Sequence, residues 1–263
     1  MIRAHFIEKY LVDPTHRITV NVIGVGGTGS QVMQGLARLS HTLKALGKPE
    51  LFVRCYDDDL ITESSVGRQL FSEGDIGRFK ADVIVERINR FYNTDWESVP
   101  CKYDVSNLGI AINDEHSSNI FITCVDSYDS RFHIKGILED FLKSRMHNIY
   151  ERPFYWIDTG NSYDFGQVVM GTVGTIEQPK SKKFETVSKL KNIFENNWGA
   201  KFDAPNEPSC SLAEAISRQD LMINTIVANY AIQLLWQMFR ENVIFFQGYF
   251  INLNNGTTNP LRI

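Results

Sequence analysis

The residues that could do chemistry begin with the run GVGGTGSQ, Gly24 to Gln31, which follows the apolar stretch ITVNVI. Glycines at Gly24, Gly26, Gly27 and Gly29 let a backbone approach phosphate, and a helix starting there aims its free amide hydrogens and its dipole at the anion. This spacing alone suits a dinucleotide carrying hydride, an ATP that will be split, or a turn made for packing. Asp57 and Asp59 close the run LFVRCYDDD, where an acid can accept hydrogen bonds from ribose hydroxyls, while Asp58 between them reads as a solvated strand end. Beyond them, ESSVGRQLFSEGDIGRFKADV brings Arg68 and Lys80. A hydride-transfer site has little use for two cations. A site that attacks ATP at its α-phosphate needs them, because charge develops there and on the departing pyrophosphate. Otherwise Arg68 is a surface ion-pair partner and Lys80 an ordinary exposed lysine. Asp126, after IFITCV, offers carboxylate oxygen to a hard cation, or else caps the helix that follows.

These residues need elements to hold them. Residues 18–23 read as a buried strand and 29–46 as a helix with Val32, Met33, Leu36, Leu39 and Leu43 on one face. Leu51–Tyr56 reads as a strand, Lys80–Tyr92 as a helix, Ile120–Val125 as a strand, 129–146 as a helix and Phe154–Asp158 as a strand. The alternation predicts an α/β fold with a doubly wound, mainly parallel Rossmann-like sheet. The glycine turn, Asp57 and Asp126 then share the carboxyl edge of that sheet, where ligands bind. From 164 to 176, glycines alternate with β-branched residues, which predicts antiparallel strands in the second half. A polar stretch over about 178–210 is long for a plain connection and reads as a lid or a crossover. A helix over Ser211–Arg240 and a hairpin turning near Asn255 and Gly256 complete the chain. The organisation expected is one unit over 1–263: a nucleotide-binding part at 1–176, the polar crossover segment at 177–210, and the helix and hairpin at 211–263.

Composition narrows the function classes. The chain has 263 residues and a formal net charge of -4, with no basic stripe apart from PKSKK at 179–183, which argues against nucleic acid as a partner. The first residues are too polar for a secretory leader, and no apolar run approaches the ~20 residues that span a bilayer. Cys55, Cys101, Cys124 and Cys210 form no C-x-x-C pair, so neither a disulfide framework nor zinc is expected. The six histidines show no ligand spacing. A reduced cytoplasmic protein is the expectation. Cys55 and Cys124 read as core and Cys101 as a strand-edge residue. Cys210 precedes a helix, where a thiolate is favoured, and is either a reactive thiol or a small buried residue.

The ordered runs GVGGTGS, YDDDLITESSVGRQLF, DIGRFKA and TCVDSYDSR resemble the ThiF/MoeB/HesA superfamily of ubiquitin-activating-type adenylating enzymes. SCSLAEA and LLWQMF resemble the ThiF-related members of PRTRC gene cassettes. The resemblance implies ATP-dependent adenylation of the C-terminal carboxylate of a small ubiquitin-like protein, followed or not by acyl transfer to Cys210. It implies that Asp57 binds ribose, that Arg68 and Lys80 hold the triphosphate, and that Asp126 coordinates magnesium. Asp59, Ser65, Gln69 and Ser127 fall in the same nucleotide-binding motifs, and Arg131 matches an arginine expected to be structural. A homodimer is also implied. Ser65 and Ser127 stand where the superfamily has asparagine, its N-terminal arginine segment is absent, and so are its zinc-binding cysteine pairs. Those departures keep a non-catalytic nucleotide-binding scaffold for a ubiquitin-like partner in play. An NAD-dependent oxidoreductase would leave Arg68, Lys80 and Asp126 without a task.

Overall fold

The computed structural model describes residues 1–104, 116–143, 150, 152–195 and 220–263. In chain order the elements are β1 (Ile2–Phe6), α1 (Lys9–Val12), β2 (Ile18–Ile23), α2 (Gly27–Ala45), β3 (Leu51–Tyr56), α3 (Lys80–Tyr92), β4 (Glu97–Val99), β5 (Ile120–Thr123), α4 (Tyr128–Lys143), β6 (Tyr155–Asn161), β7 (Phe165–Thr172), β8 (Phe184–Thr186), α5 (Ile223–Glu241), β9 (Val243–Ile244), β10 (Phe246–Asn252) and β11 (Thr257–Arg262). Every residue of β2 is buried, as its apolar and β-branched run requires of a central strand covered on both faces; Asn21, its one exception, is satisfied by the His116 carbonyl and the Ser118 hydroxyl.

The main sheet runs β11-β10-β7-β6-β5-β2-β3-β4. From β4 to β6 its neighbours are parallel, and from β6 to β11 they are antiparallel. The chain leaves β2 toward β3 on one side and returns to β5 on the other, so the crevice beyond β2 and β5 is the topological switch point. The expected parallel sheet is therefore present, as are the antiparallel strands of the second half. The hairpin turns at Asn255 and Gly256, with Gly256 at φ 66.

Helices cover both faces. Val20, Val22 and Val53 pack with Val32, Met33 and Leu36 of α2 and with Val227 and Leu234 of α5 on one face. On the other, Tyr56, Phe121 and Trp156 pack with Ile134, Leu138 and Phe141 of α4. Helix α5 thus lies on α2 and the sheet. The expected helix over 211–240 is described from Ile223 onward, and its first residues, with Cys210, lie outside the described residues.

A second, small sheet of order β8-β1-β9 was not legible beforehand. It ties the start of the chain to the polar crossover segment, since Ile2 pairs with Phe184 and Phe6 with Val243. Beside it, fully buried His5 donates from Nδ1 to the Val187 carbonyl at 2.6 Å. Its Nε2 accepts from the Tyr155 hydroxyl at 2.9 Å, and that oxygen accepts the Glu8 amide at 3.1 Å. Burial holds the His5 pKa below its ordinary value, so the neutral ring this network needs is the favoured one.

Candidate nucleotide-binding site

The glycine turn joins β2 to α2 in very little space. Gly24 has φ 86, and a Cβ on it would lie 2.9 Å from the Cys124 carbonyl oxygen. A Cβ on Gly29 would lie 1.9 Å from the Gly24 oxygen, so the first turn of α2 packs directly on the end of its own strand. Gly26 differs: among the described residues, the Gln69 Nε2, at 3.9 Å, is the sole non-neighbouring atom within 4 Å of its would-be Cβ. The loop is closed beneath and open at Gly26, as a turn facing a ligand has to be. The amides that open α2 have no acceptor within the helix.

Asp57 is fixed by this loop. One carboxylate oxygen accepts the Val25 amide at 2.6 Å and the other the Asp59 amide at 2.9 Å. Burial raises the Asp57 pKa above its usual value, against the pull of Lys80 and these two amides. Each oxygen keeps a lone pair, enough for a vicinal pair of ribose hydroxyls. Asp59 is exposed and takes a different part: its Oδ2 holds the Lys80 ammonium at 2.6 Å, and its carbonyl accepts the Lys80 amide at 3.0 Å. Lys80, the first residue of α3, is buried along its stem and anchored at its tip.

Arg68 and Gln69 sit on the turn between. Arg68 is half-buried, and burial draws its pKa below the ordinary value, so its charge is poorly solvated by water. Gln69 is buried and its Oε1 has no hydrogen-bond partner among the described residues. An orphaned acceptor beside the open glycine is what a polar ligand would satisfy. Ser65 closes the preceding 3₁₀ turn, its hydroxyl 3.2 Å from that of Thr62.

At the end of β5 two adjacent residues divide their work. The Ser127 hydroxyl accepts the Ser130 amide at 3.1 Å, so Ser127 caps α4. Asp126 is exposed and makes no hydrogen bond or ion pair among the described residues. No group of three metal-ligating side chains occurs among the described residues. A cation at Asp126 would be held by one carboxylate, with phosphate and water completing the shell, a set magnesium accepts. Arg131, on the next turn, is structural. Its Nε contacts both oxygens of Asp158 at 3.0 and 3.2 Å, and its Nη2 donates to the Val125 and Thr159 carbonyls.

The ThiF family profile matches residues 3–262. The chain belongs to the ThiF family. No curated protein matches it in sequence. Among solved structures, E. coli MccB with MccA aligns at a TM-score of 0.58 and 14% identity, over 96% of this chain and 64% of that one. MccB with ATP aligns at 0.55 and 14%, again over 96% and 64%. PaaA aligns at 0.56 and 12%, over 94% and 64%. This ThiF-family chain thus spans less than two thirds of the solved chains it matches, and at such identity the likeness is one of fold.

Sequence reading of the ThiF motifs missed three polar residues packed under the loop. Thr28 Oγ1 donates to Asn224 Oδ1 at 2.8 Å, and Asn161 Nδ2 donates to the same oxygen at 3.1 Å. Thr28 lies inside the glycine motif and could have been flagged; Asn161 and Asn224 carry no local signal. Of the cysteines, Cys55 is fully buried and Cys124, just after β5, has its pKa pushed up to about 12 by burial. Both are inert thiols at neutral pH. Cys101 follows β4 half-buried, its pKa also raised by burial.

Proposed function

We propose that this ThiF-family protein binds ATP at the switch point and adenylates the C-terminal carboxylate of a small ubiquitin-like protein. The observation that carries the reading is Asp126: Ser127 takes the helix cap, and the acid has no partner among the described residues, near a loop open at Gly26. An unpaired carboxylate next to phosphate is unfavourable unless a cation joins them.

In the proposed reaction a carboxylate oxygen of the partner attacks the α-phosphorus. The new carboxyl–phosphate bond forms as the bond to the β-phosphate breaks, and pyrophosphate leaves. No proton moves. Asp57 orients the ribose with the oxygen positions its two amide bonds leave open. The amides at the start of α2 receive phosphate oxygens. Arg68 and Lys80 meet the charge that grows on the leaving group, and Asp59 fixes Lys80 so that little reorganisation remains to be done. Bound magnesium, ligated by Asp126, would supply further neutralisation of phosphate charge. The MccB structures with ATP and with MccA support a nucleotide and a second ligand being bound on this fold. Transfer of the acyl group to Cys210 would be a later step.

ATP–pyrophosphate exchange tests this. The wild-type protein, supplied with magnesium and a ubiquitin-like protein ending in glycine, should catalyse partner-dependent exchange. Asp126→Ala should lower it by on the order of 10²–10³-fold. ATP binding without exchange toward any carboxylate partner would make the chain a scaffold.

A further inference from the structure

Helix α5 and helix α2 touch closely at two corresponding places. A Cβ on Gly27 would lie 2.5 Å from Asn224 Nδ2, and a Cβ on Gly35 would lie 2.5 Å from Ile232 Cγ1. Gly27 and Gly35 are eight positions apart on α2, as are Asn224 and Ile232 on α5. The helices therefore run in the same direction, in register, and begin at the same edge of the sheet. The lower contact is apolar. The upper contact, at the phosphate loop, is a buried carboxamide: Asn224 is 4% exposed and accepts from both Thr28 of α2 and Asn161 of β6.

We infer that Asn224 is a positioning residue for the phosphate loop, setting the first turn of α2 from a helix that begins almost two hundred positions later in the chain. The inference rests on the proposal that this loop receives ATP. Its physical basis is narrow tolerance. Thr28 and Gly29 carry amides that no helix partner satisfies, and their direction depends on how the first turn is held. Thr28 is held by its hydroxyl, through Asn224 Oδ1 at 2.8 Å and through a longer contact to Asn161 Oδ1 at 3.4 Å. Gly27 has no side chain because the carboxamide occupies that place. A displacement of about 1 Å in such a cradle costs on the order of 10²-fold in rate when charge stabilisation depends on it. An apolar side chain at 224 could fill the same volume and keep α5 on α2, yet would leave the Thr28 hydroxyl with only its longer contact to Asn161.

The test uses the full chain, with Asn224→Ala, Thr28→Val, the double variant, and Asn224→Asp. Amide hydrogen exchange is measured on the protein without nucleotide, ATP affinity by titration, and stability by urea unfolding. In Asn224→Ala, the amide of Ser30, the first to bond within α2 (to the Gly26 carbonyl at 3.1 Å), should exchange about tenfold faster, as loss of one buried hydrogen bond implies, while amides of β2 and β5 keep their wild-type order. ATP affinity should fall by a similar factor. The double variant should be no worse than the worse single, because both remove one interaction. Asn224→Asp keeps the acceptor for Thr28 and Asn161 but puts a carboxylate where the amide faced the loop. It should retain stability while losing more ATP affinity than Asn224→Ala. Exchange that accelerates evenly across the chain, or an Asp variant that restores ATP binding along with stability, would reduce Asn224 to a structural tie. Absence of ATP binding by the wild type would instead remove the nucleotide reading, and the exchange pattern would still decide whether Asn224 sets the loop.

Discussion

Two acids stand near the carboxyl ends of neighbouring strands, and their surroundings could hardly differ more. Asp158, in β6, is 1% exposed and is bound by the Thr123 hydroxyl at 2.6 Å and by the Arg131 guanidinium. Burial raises its pKa, with Arg131 and Thr123 pulling the other way. Asp126, after β5, is exposed and unpartnered among the described residues. Arg131 lies with the closed one: its Nε meets Asp158, and its Nη2 donates to the carbonyls of Val125, just past β5, and of Thr159, within β6. The closed acid fixes where the open one stands. Pairing turns a carboxylate into architecture, and withholding a partner leaves it for a ligand.

That contrast can be broken from either side. The largest effect belongs to the closed end: Arg131→Met should cost about 3–5 kcal/mol in urea unfolding, because Asp158 is left charged in the core. Adding Asp158→Leu should return much of that, and no return would mean that Arg131 acts through the carbonyls alone. At the open end, Lys80→Met should lower ATP–pyrophosphate exchange by on the order of 10²-fold, the size of one lost charge contact to the transition state. Exchange at the wild-type rate would remove Lys80 from the site. Ser127→Ala strips the cap of α4 and should cost about 1 kcal/mol of stability. If Asp126 took over the cap, the cost would vanish and exchange would fall instead.

A closed network can also be opened by pH. His5 is held neutral in the fold, with its pKa below the ordinary value of about 6.5, so the unfolded chain binds the extra proton more readily. Stability from this site is complete above that ordinary value and is lost as pH falls through it toward the folded value. Urea midpoints compared between pH 8 and pH 5.5 should fall for the wild type and fall less for His5→Gln; equal slopes would show that the Tyr155 network does not sense protons. The smallest effect sharpens the comparison most. Asp126→Ala should leave unfolding within about 0.5 kcal/mol of wild type, as an exposed side chain without partners predicts.

Much of this arrangement was written locally. Hydrophobic runs announced β2, β3 and β5, and helix α3 begins at Lys80 and ends at Tyr92 as its apolar periodicity predicts. Turn chemistry gave the hairpin at Gly256. Strands β4, β8 and β9 are two or three residues long, and such pieces exist because a partner from elsewhere in the chain pairs with them, which no window of sequence reveals. Asn224 was invisible for the same reason: its partners lie 196 and 63 positions away. In DSYDSR the residue expected as a possible cap is Asp126; side-chain geometry gives the cap to Ser127 instead and leaves Asp126 without a partner among the described residues.

The ends of the main sheet bear on how a protein partner can dock. Strand β4 is three residues long, and β11 carries Pro260 opposite Tyr249, a residue with no amide hydrogen to offer a further strand. Short length and proline are both ways of blunting a sheet margin against strand addition. A ubiquitin-like tail is therefore not expected to be captured by β-augmentation. Under the proposed reaction such a tail would come in across the strand ends, end-on, which would select for a flexible, narrow terminus and would tolerate wide variation in the folded body behind it.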